Sequence, residues 1–206
     1  SLIPLTKNYE LIVTERIIEI PFVFKNLKLK RGAKILEIGY AHSRLSIELA
    51  SLGYKVIGYD LLDYEFLHPN FEFIKGNFLH NNLQSNTFDA VISVSTVEHF
   101  GLGCYGEPEI KDGDKKCVEE IFRILKRRGV FIFTVPYGKM ATTSEGRIYD
   151  EKSFHSLLKK FKVEKEEYFI SSINRTYWIP ALKEELVNVD SSKVVQGVAC
   201  IVARKQ

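Results

Sequence analysis

The chain alternates short apolar runs with stretches that carry apolar residues at helical spacing. Runs rich in β-branched and aromatic residues predict strands that are buried on both faces. These runs cover residues 35–38, 55–59, 71–75, 88–94, 130–135, 163–170 and 194–203. Helical spacing covers residues 9–27, the segment from 45 onward, and residues 115–127, 150–160 and 181–187. Pro21 is expected to break or kink the first of these helical stretches. Such alternation predicts an α/β fold around a mostly parallel sheet.

The turn after the first predicted strand is built mainly from small residues. It joins a strand to a helix, so it presents free N–H groups of a helix N-terminus to a ligand. A dinucleotide pattern G-x-G-x-x-G would fall on Gly39, Ala41 and Arg44, and the long Arg44 side chain argues against it. The pattern acidic-x-G-x-G-x-G falls instead on Glu37, Gly39, Ala41 and Ser43, with only small residues at the three turn positions.

Polar and aromatic residues follow the next strands at their carboxyl ends, where open α/β sheets bind ligands. Asp60 ends the second strand, 60 − 39 = 21 positions after Gly39, which suits a carboxylate that accepts both ribose hydroxyls. The alternative is an aspartate that caps the following turn. Asn77 can pair with an adenine edge, and Phe78 either stacks on that base or belongs to the core. Ser95 follows the fourth strand.

Taken in order, these segments resemble a known family. EIGYAHS, the acid of VIGYD, GNF, FDAVISVSTVEHF and LKRRGVFIFTVP are similar to the successive motifs of class I S-adenosylmethionine (AdoMet)-dependent methyltransferases of the type 11-like group. The resemblance covers about residues 33–135. It implies a Rossmann-like, doubly wound, seven-stranded sheet, mostly parallel, whose antiparallel last strand is inserted before the sixth.

The resemblance also implies AdoMet as cofactor and assigns its binding residues. The small-residue turn after the first strand would bind the methionine end of AdoMet, and Asp60 would bind the ribose. Asn77 and Phe78 would bind the adenine, and Ser95 would lie below the sulfonium. The expected cofactor-binding residues are Glu37, Gly39, Tyr40, Ala41, His42, Ser43, Asp60, Leu61, Asn77, Phe78 and Ser95. Ala41 and Ser43 replace glycines of the family pattern, and Asn77 replaces the usual Asp.

Candidate chemistry on the acceptor side lies after the fourth strand. His99 is the expected general base for a hydroxyl acceptor, unless it only hydrogen-bonds a neighbouring loop. Glu98 would orient His99 or bind the acceptor. The glycine-rich loop 101–116 is expected to close as a lid over the acceptor. The expected acceptor-binding residues are Tyr105, Tyr137 and Arg147, although Arg147 equally suits a surface ion pair.

The phrase EHFGLGCYGEP, together with the later RIYD, more loosely resembles uncharacterised methyltransferase-like proteins associated with surface-glycan synthesis. We therefore expect methyl transfer to an oxygen of a small-molecule or glycan-type acceptor. One alternative is a domain that retains AdoMet but has lost catalysis and acts as a partner or sensor, with a filled or closed acceptor cavity. An NAD(P)-dependent oxidoreductase is disfavoured by Arg44.

Composition fits one ordinary globular domain over residues 1–206. We divide it into an N-terminal helical segment at about 9–27, a cofactor half at about 33–100 and acceptor-side elements at about 101–206. A formal charge of +3 is too small to predict nucleic-acid binding, and the run Lys126-Arg127-Arg128 is expected to close a helix. The three cysteines lack metal-ligand spacing, so no metal is expected. No run approaches the ~20 apolar residues of a membrane span. Because the cysteines are expected to be reduced thiols, a cytoplasmic location is expected.

Overall fold

A computed structural model describes residues 13–39, 41, 43–63, 66–174 and 176–206. The helices are α1 (Arg16–Asn26), α2 (Leu45–Ser51), α3 (Gly113–Ile124), α4 (Glu151–Leu157) and α5 (Lys183–Leu186). The first strands are β1 (Lys34–Ile38), β2 (Lys55–Asp60), β3 (Phe71–Lys75), β4 (Phe88–Val94) and β5 (Leu125–Pro136). They are followed by β6 (Ala141–Thr142), β7 (Arg147–Ile148), β8 (Phe161–Ser171), β9 (Trp178–Ala181) and β10 (Gly197–Lys205). Two 3-10 turns occupy Phe78–His80 and Val97–His99.

The main sheet has the strand order β3-β2-β1-β4-β5-β10-β8-β9. The first five strands pair in parallel, and β10 lies antiparallel between β5 and β8. This arrangement confirms the predicted mostly parallel sheet with an inserted antiparallel last strand. Strands β6 and β7 form a separate antiparallel hairpin, the β6–β7 hairpin.

Strand β9 adds an eighth member to the predicted seven. The sequence pattern predicts no strand for this segment, which contains Pro180, but the segment pairs antiparallel with the end of β8. Proline is tolerated there because β9 is an edge strand, where one side of the backbone needs no ladder partner. The seven-stranded prediction is therefore correct for the body of the sheet and short by one strand at its edge.

The apolar core forms two layers, one on each face of the sheet. Alternate residues of the central strands point to opposite faces, so Leu36 packs with α3 residues and Ile35 packs with α1 and α2 residues. Both side chains are completely buried. This two-sided burial explains why the central strands read as nearly continuous apolar runs.

Two local predictions need correction. Helix α1 runs through Pro21 without a break, with Phe22 and Val23 buried against the sheet; the predicted residues 9–12 lie outside the described part of the chain. Lys126-Arg127-Arg128 does not close α3, because the helix ends at Ile124 and β5 begins at once with the buried Leu125. Among the described residues, no helix combines the length and the apolar character that a bilayer crossing requires.

Candidate functional site

Two cavities meet at the carboxyl ends of β1, β2 and β4. The first cavity has a volume of about 930 Å³ and the second about 750 Å³, both including their open mouths. The first is lined by Arg16, Ile38, Gly39, Ala41, Tyr59, Asp60, Leu61, Leu62, Gly76, Asn77, Phe78, Leu79, Ser95, Thr96, His99, Phe100, Gly101, Tyr105 and Glu107. The second is lined by Glu15, Arg16, Ser95, Glu98, His99, Tyr105, Pro136, Thr143, Glu145, Gly146, Arg147, Ile148 and residues 191–195. Arg16, Ser95, His99 and Tyr105 border both, so the two cavities adjoin.

The turn after β1 brings backbone close to the first cavity. Gly39 has φ +75°, and a Cβ there would lie only 2.9 Å from the Thr96 Cβ and would overlap the rest of that side chain. Only glycine combines this conformation with this approach. Gly39 and Ala41 both line the first cavity, as predicted from the sequence. Tyr40 and His42 lie outside the described residues.

Glu37 and Ser43 stand behind this turn, and neither is among the described residues that line the cavities. Glu37 is 1% exposed and accepts a 2.5 Å hydrogen bond from the Ser46 hydroxyl of α2. Burial raises the pKa of Glu37 to about 7, and hydrogen bonds from Ser46 and Ser43 oppose that rise. The buried Glu37 side chain therefore connects β1 to α2 by a hydrogen bond and does not line either cavity.

Asp60 holds the opposite wall of the first cavity. Its Oδ2 accepts a hydrogen bond from the Ala41 backbone N–H at 3.0 Å, and its Oδ1 accepts one from the Leu62 N–H at 3.0 Å. Each carboxylate oxygen has further acceptor capacity, which leaves room for two ligand hydroxyls. Leu61 lines the cavity beside it. Asp60 thus caps the next turn, which is the alternative predicted for it, and also lines the first cavity, while its binding of a ribose stays a prediction.

Asn77 and Phe78 reach the first cavity at the end of β3. The Asn77 Oδ1 accepts a hydrogen bond from the Leu79 N–H at 2.9 Å, which caps the 3-10 turn. Phe78 is 2% exposed and packs edge-on against Tyr59 and Phe100. Its ring therefore belongs to the core, which was one of the two predicted alternatives, and forms part of the cavity wall.

Helix α1 supplies residues that were not singled out from the sequence. The Ser95 hydroxyl donates to Glu19 Oε1 at 2.6 Å, and Arg16 Nη1 donates to Glu19 Oε2 at 2.9 Å and to the Val94 carbonyl at 3.1 Å. Burial raises the pKa of Glu19, and Arg16 and Ser95 counteract that effect. The spacing of Arg16 and Glu19 inside an apolar helical stretch was the available signal. Ser95 and Arg16 lie where the two cavities join.

His99 and Glu98 lie side by side in the second 3-10 turn. His99 Nδ1 contacts the backbone carbonyl of Glu145, and its Nε2 lies 3.9 Å from Glu98 Oε1. Burial lowers the pKa of His99 from its ordinary value of 6.5 and raises that of Glu98 well above normal. The His99 ring also packs edge-on against Tyr105, with ring centres 5.6 Å apart. The pair faces the second cavity.

Two predicted acceptor residues have structural roles instead. Arg147 lines the second cavity, but its Nη1 donates to the carbonyls of Glu98 and Phe100 at 3.0 and 2.8 Å. Its Nε lies 3.7 Å from Asp114 Oδ2, so the guanidinium clamps the turn that carries Glu98 and His99. Bidentate capture of an acceptor anion is therefore not the arrangement found.

Tyr137 is 1% exposed and lies in the core, not in either described cavity lining. Its ring packs edge-on against Phe154 and Tyr168. Successive side chains of a strand point to opposite faces of the sheet, and the Tyr137 side chain points into the core and not into a cavity. Burial raises the pKa of Tyr137 to about 12.

Part of loop 101–116 forms the wall between solvent and both cavities. Gly101, Tyr105 and Glu107 border the first cavity, and Tyr105 also borders the second. The Glu107 carboxylate accepts a 2.9 Å hydrogen bond from the Tyr105 N–H. Tyr105 borders both cavities, and its role in acceptor binding and the closure of the loop both stay predictions. The described residues contain no group of three or more His, Cys, Asp or Glu placed to hold a metal ion.

Comparison with known proteins agrees with this geometry. The family described as a methyltransferase domain matches residues 36–133, the region that supplies most of the first cavity. An uncharacterised protein of Methanocaldococcus jannaschii is 28% identical over 123 residues, which are 60% of this chain and 49% of that protein. The chain thus spans about half the length of this relative.

Solved structures share the fold at low identity. The 1,6-didemethyltoxoflavin-N1-methyltransferase of Burkholderia thailandensis, with bound 1,6-didemethyltoxoflavin and S-adenosylhomocysteine, matches with a TM-score of 0.65. It is 15% identical, and the match covers 92% of this chain and 77% of that one. The [4+2]-cyclase SpnF matches with a TM-score of 0.68 and 15% identity, over 97% of this chain and 84% of the other.

The sheet order and the cavity at its strand ends define a Rossmann-like α/β protein of the class I methyltransferase type. Residues 36–133 match the methyltransferase-domain family, and the fold matches that of solved AdoMet-dependent methyltransferases. The prediction from the sequence motifs is confirmed at this level.

Proposed function

We propose that the chain transfers the methyl group of AdoMet to a hydroxyl oxygen of a small-molecule or glycan-type acceptor. The observation that carries this proposal is the meeting of two cavities at Ser95 and His99. One cavity offers groups suited to AdoMet, and the other holds a histidine and a buried acid. In this proposal the cofactor half at about 33–100 and the acceptor-side elements at about 101–206 act as one catalytic domain.

The residues of the first cavity fit the cofactor. Asp60 would accept the ribose hydroxyls with the lone pairs that Ala41 and Leu62 leave available. Gly39 lets the backbone approach the methionine end, where Arg16 supplies a cation for its carboxylate. We assign the adenine to the wall formed by Asn77 and Phe78.

When bound, AdoMet supplies an electrophilic methyl group on a sulfonium whose leaving group is a neutral thioether. The protein therefore contributes mainly position, holding an acceptor oxygen in line with the departing sulfur. Ser95 and the backbone of the β4 end form the boundary across which the methyl group must pass. Two hydrogen bonds hold this boundary in place. The Ser95 hydroxyl donates to Glu19, and the Ser95 backbone N–H donates to Thr134 Oγ1 at 3.0 Å.

His99 is the proposed base for the acceptor hydroxyl. A backbone carbonyl can only accept, so the Glu145 contact requires the proton on His99 Nδ1 and leaves a lone pair on Nε2. Its lowered pKa keeps the imidazole neutral at neutral pH. His99 Nε2 would accept the proton of the acceptor hydroxyl as that oxygen takes the methyl group, with the neutral thioether as the leaving group. The resulting imidazolium then returns the proton to solvent.

The second cavity also bears on the non-catalytic alternative. An AdoMet-binding domain that has lost catalysis was expected to have a filled or closed acceptor cavity. The second cavity measures about 750 Å³ and opens to solvent, which supports an enzyme. Ala41 lines the first cavity although it replaces a glycine of the family pattern.

The test is a transfer assay with radiolabelled AdoMet against sugars, nucleotide sugars and lipid-linked glycans. We expect label in at least one hydroxylated acceptor, and much slower labelling when His99→Asn replaces the wild type at equal AdoMet affinity. Calorimetry should show binding of AdoMet and S-adenosylhomocysteine but not of NAD. Binding of the cofactor without transfer to any acceptor would favour the partner or sensor role.

A further inference from the structure

Glu98 carries a polar atom that the surrounding residues leave unused. Its side chain is 2% exposed, and it borders the second cavity. Within the described residues, Glu98 Oε2 has no hydrogen-bond partner. Leaving a buried polar group without a hydrogen bond is destabilising, so such a group calls for a ligand or another functional explanation.

The surroundings of Glu98 favour a neutral carboxyl. Burial raises its pKa well above the ordinary value, and the nearby carboxylates Glu19 and Glu15 act in the same direction. Arg16 opposes them, but its Nη1 is already paired with Glu19. A neutral carboxyl offers one O–H donor and one carbonyl acceptor, the same pair of functions as a hydroxyl group.

Glu98 and His99 are held as a rigid pair. A Cβ on Gly146 would lie 3.3 Å from both Glu98 Cγ and His99 Cε1, so the β6–β7 hairpin packs directly on the two side chains. Arg147 fixes the same turn through the Glu98 carbonyl at 3.0 Å. His99 Nε2 and Glu98 Oε1 are consequently kept 3.9 Å apart on one side of the second cavity.

We propose that Glu98 binds a second hydroxyl of the acceptor, on the carbon adjacent to the hydroxyl that is methylated. The acceptor class is then an uncharged vicinal diol, as found in sugar rings and polyols. This inference rests on the proposed function, because it takes the methylated hydroxyl to lie at His99 Nε2. Hydroxyls on adjacent carbons are close enough to reach His99 and Glu98 together, whereas a simple alcohol leaves Glu98 unsatisfied.

The charges of the second cavity agree with an uncharged acceptor. Arg16 is paired with Glu19 through Nη1 and is assigned above to the cofactor carboxylate, and Arg147 is held by backbone carbonyls and Asp114. The lining also carries the carboxylates Glu15 and Glu145 and the ammonium group of Lys193, so it presents no large excess of one charge that would select an ionic acceptor. A neutral polyol needs no such excess.

The test uses cis-1,2-cyclohexanediol and cyclohexanol as probes of the protein loaded with S-adenosylhomocysteine. Saturation-transfer NMR titrations should show the diol binding about tenfold more tightly than the alcohol, the value of one additional hydrogen bond. Glu98→Met, which removes the polar atoms at similar volume, should reduce this preference to about twofold or less. Glu98→Gln keeps a donor and an acceptor and should retain most of it.

Calorimetry with S-adenosylhomocysteine verifies that each variant is folded. The comparison of diol and alcohol in the wild type tests the inference even if a variant fails to fold. Equal binding of the two probes to the wild type would overturn the inference. So would a loss in Glu98→Gln as large as in Glu98→Met, which indicates an ionised carboxylate that contacts a cation. Because these are binding measurements, diol preference without methyl transfer would contradict only the proposed function.

Discussion

The carboxylate of Asp60 accepts a hydrogen bond from the backbone N–H of Ala41 at 3.0 Å. This contact joins the end of β2 to the turn after β1, across 19 residues of chain. It holds the two walls of the first cavity at a fixed separation. The same carboxylate therefore shapes the cofactor cavity and offers it two acceptor oxygens.

Asp60→Ala should weaken S-adenosylhomocysteine binding by about 1–3 kcal/mol, through lost hydrogen bonds to the ribose and a freed Ala41 N–H. Isothermal calorimetry measures this directly. Asp63→Ala is the matched control, because Asp63 lies in the same loop but forms an exposed pair with Lys75. Unchanged affinity in Asp60→Ala would refute the ribose assignment.

Gly39→Ala should destabilise the fold by about 1–3 kcal/mol through overlap with the Thr96 side chain, and should also reduce cofactor affinity. Two effects contribute at Gly39, the positive φ and the overlap with Thr96. Gly32→Ala measures the first effect alone, because Gly32 has φ +82° but nothing within 4 Å of its added Cβ. Denaturant unfolding of both variants gives the difference. If both variants lose the same free energy of unfolding, the close approach at Thr96 contributes nothing.

The strand ends that carry the site could be predicted from the sequence. Apolar runs predicted the strands β1 to β5, and the resemblance to the family implied the sheet that brings Gly39, Asp60, Asn77 and Ser95 to one edge. These positions depend on local pattern and on topology. The first cavity was therefore largely foreseen.

The acceptor side could be predicted only in part. Arg147 is spent on the Glu98 and Phe100 carbonyls, and Tyr137 turns into the core against Phe154 and Tyr168. Arg16 and Glu19 enter the site through contacts to Val94 and Ser95, 78 and 76 residues away. Such outcomes depend on side-chain direction and long-range contacts, which spacing along the chain does not reveal.

Glu37 should give the fold a specific pH dependence. Its pKa is raised from 4.5 to about 7, so between these values the unfolded chain loses a proton that the folded chain keeps. The free energy of unfolding then falls as the pH rises, by about 3 kcal/mol in total across this window. Glu37→Gln removes this contribution. Urea unfolding at pH 4.5 to 7 should show the two proteins diverging; parallel profiles would exclude a raised pKa.

His99 should determine the acidic limb of the rate profile. A base acts only when deprotonated, and burial lowers the pKa of His99 below 6.5. With a hydroxyl acceptor, kcat should rise with pH through a value below 6.5 and then level off. His99→Asn should reduce kcat by about 10²–10⁴-fold and abolish that limb while leaving S-adenosylhomocysteine affinity nearly intact. His155→Asn, an exposed histidine remote from both cavities, is the control.

The most direct test of the account is a crystal structure of the protein with S-adenosylhomocysteine. We expect the ribose hydroxyls on Asp60, the adenine against Asn77 and Phe78, and the sulfur beside Ser95, facing His99 and the second cavity. A nucleoside bound away from Asp60, or a sulfur directed away from the second cavity, would contradict it.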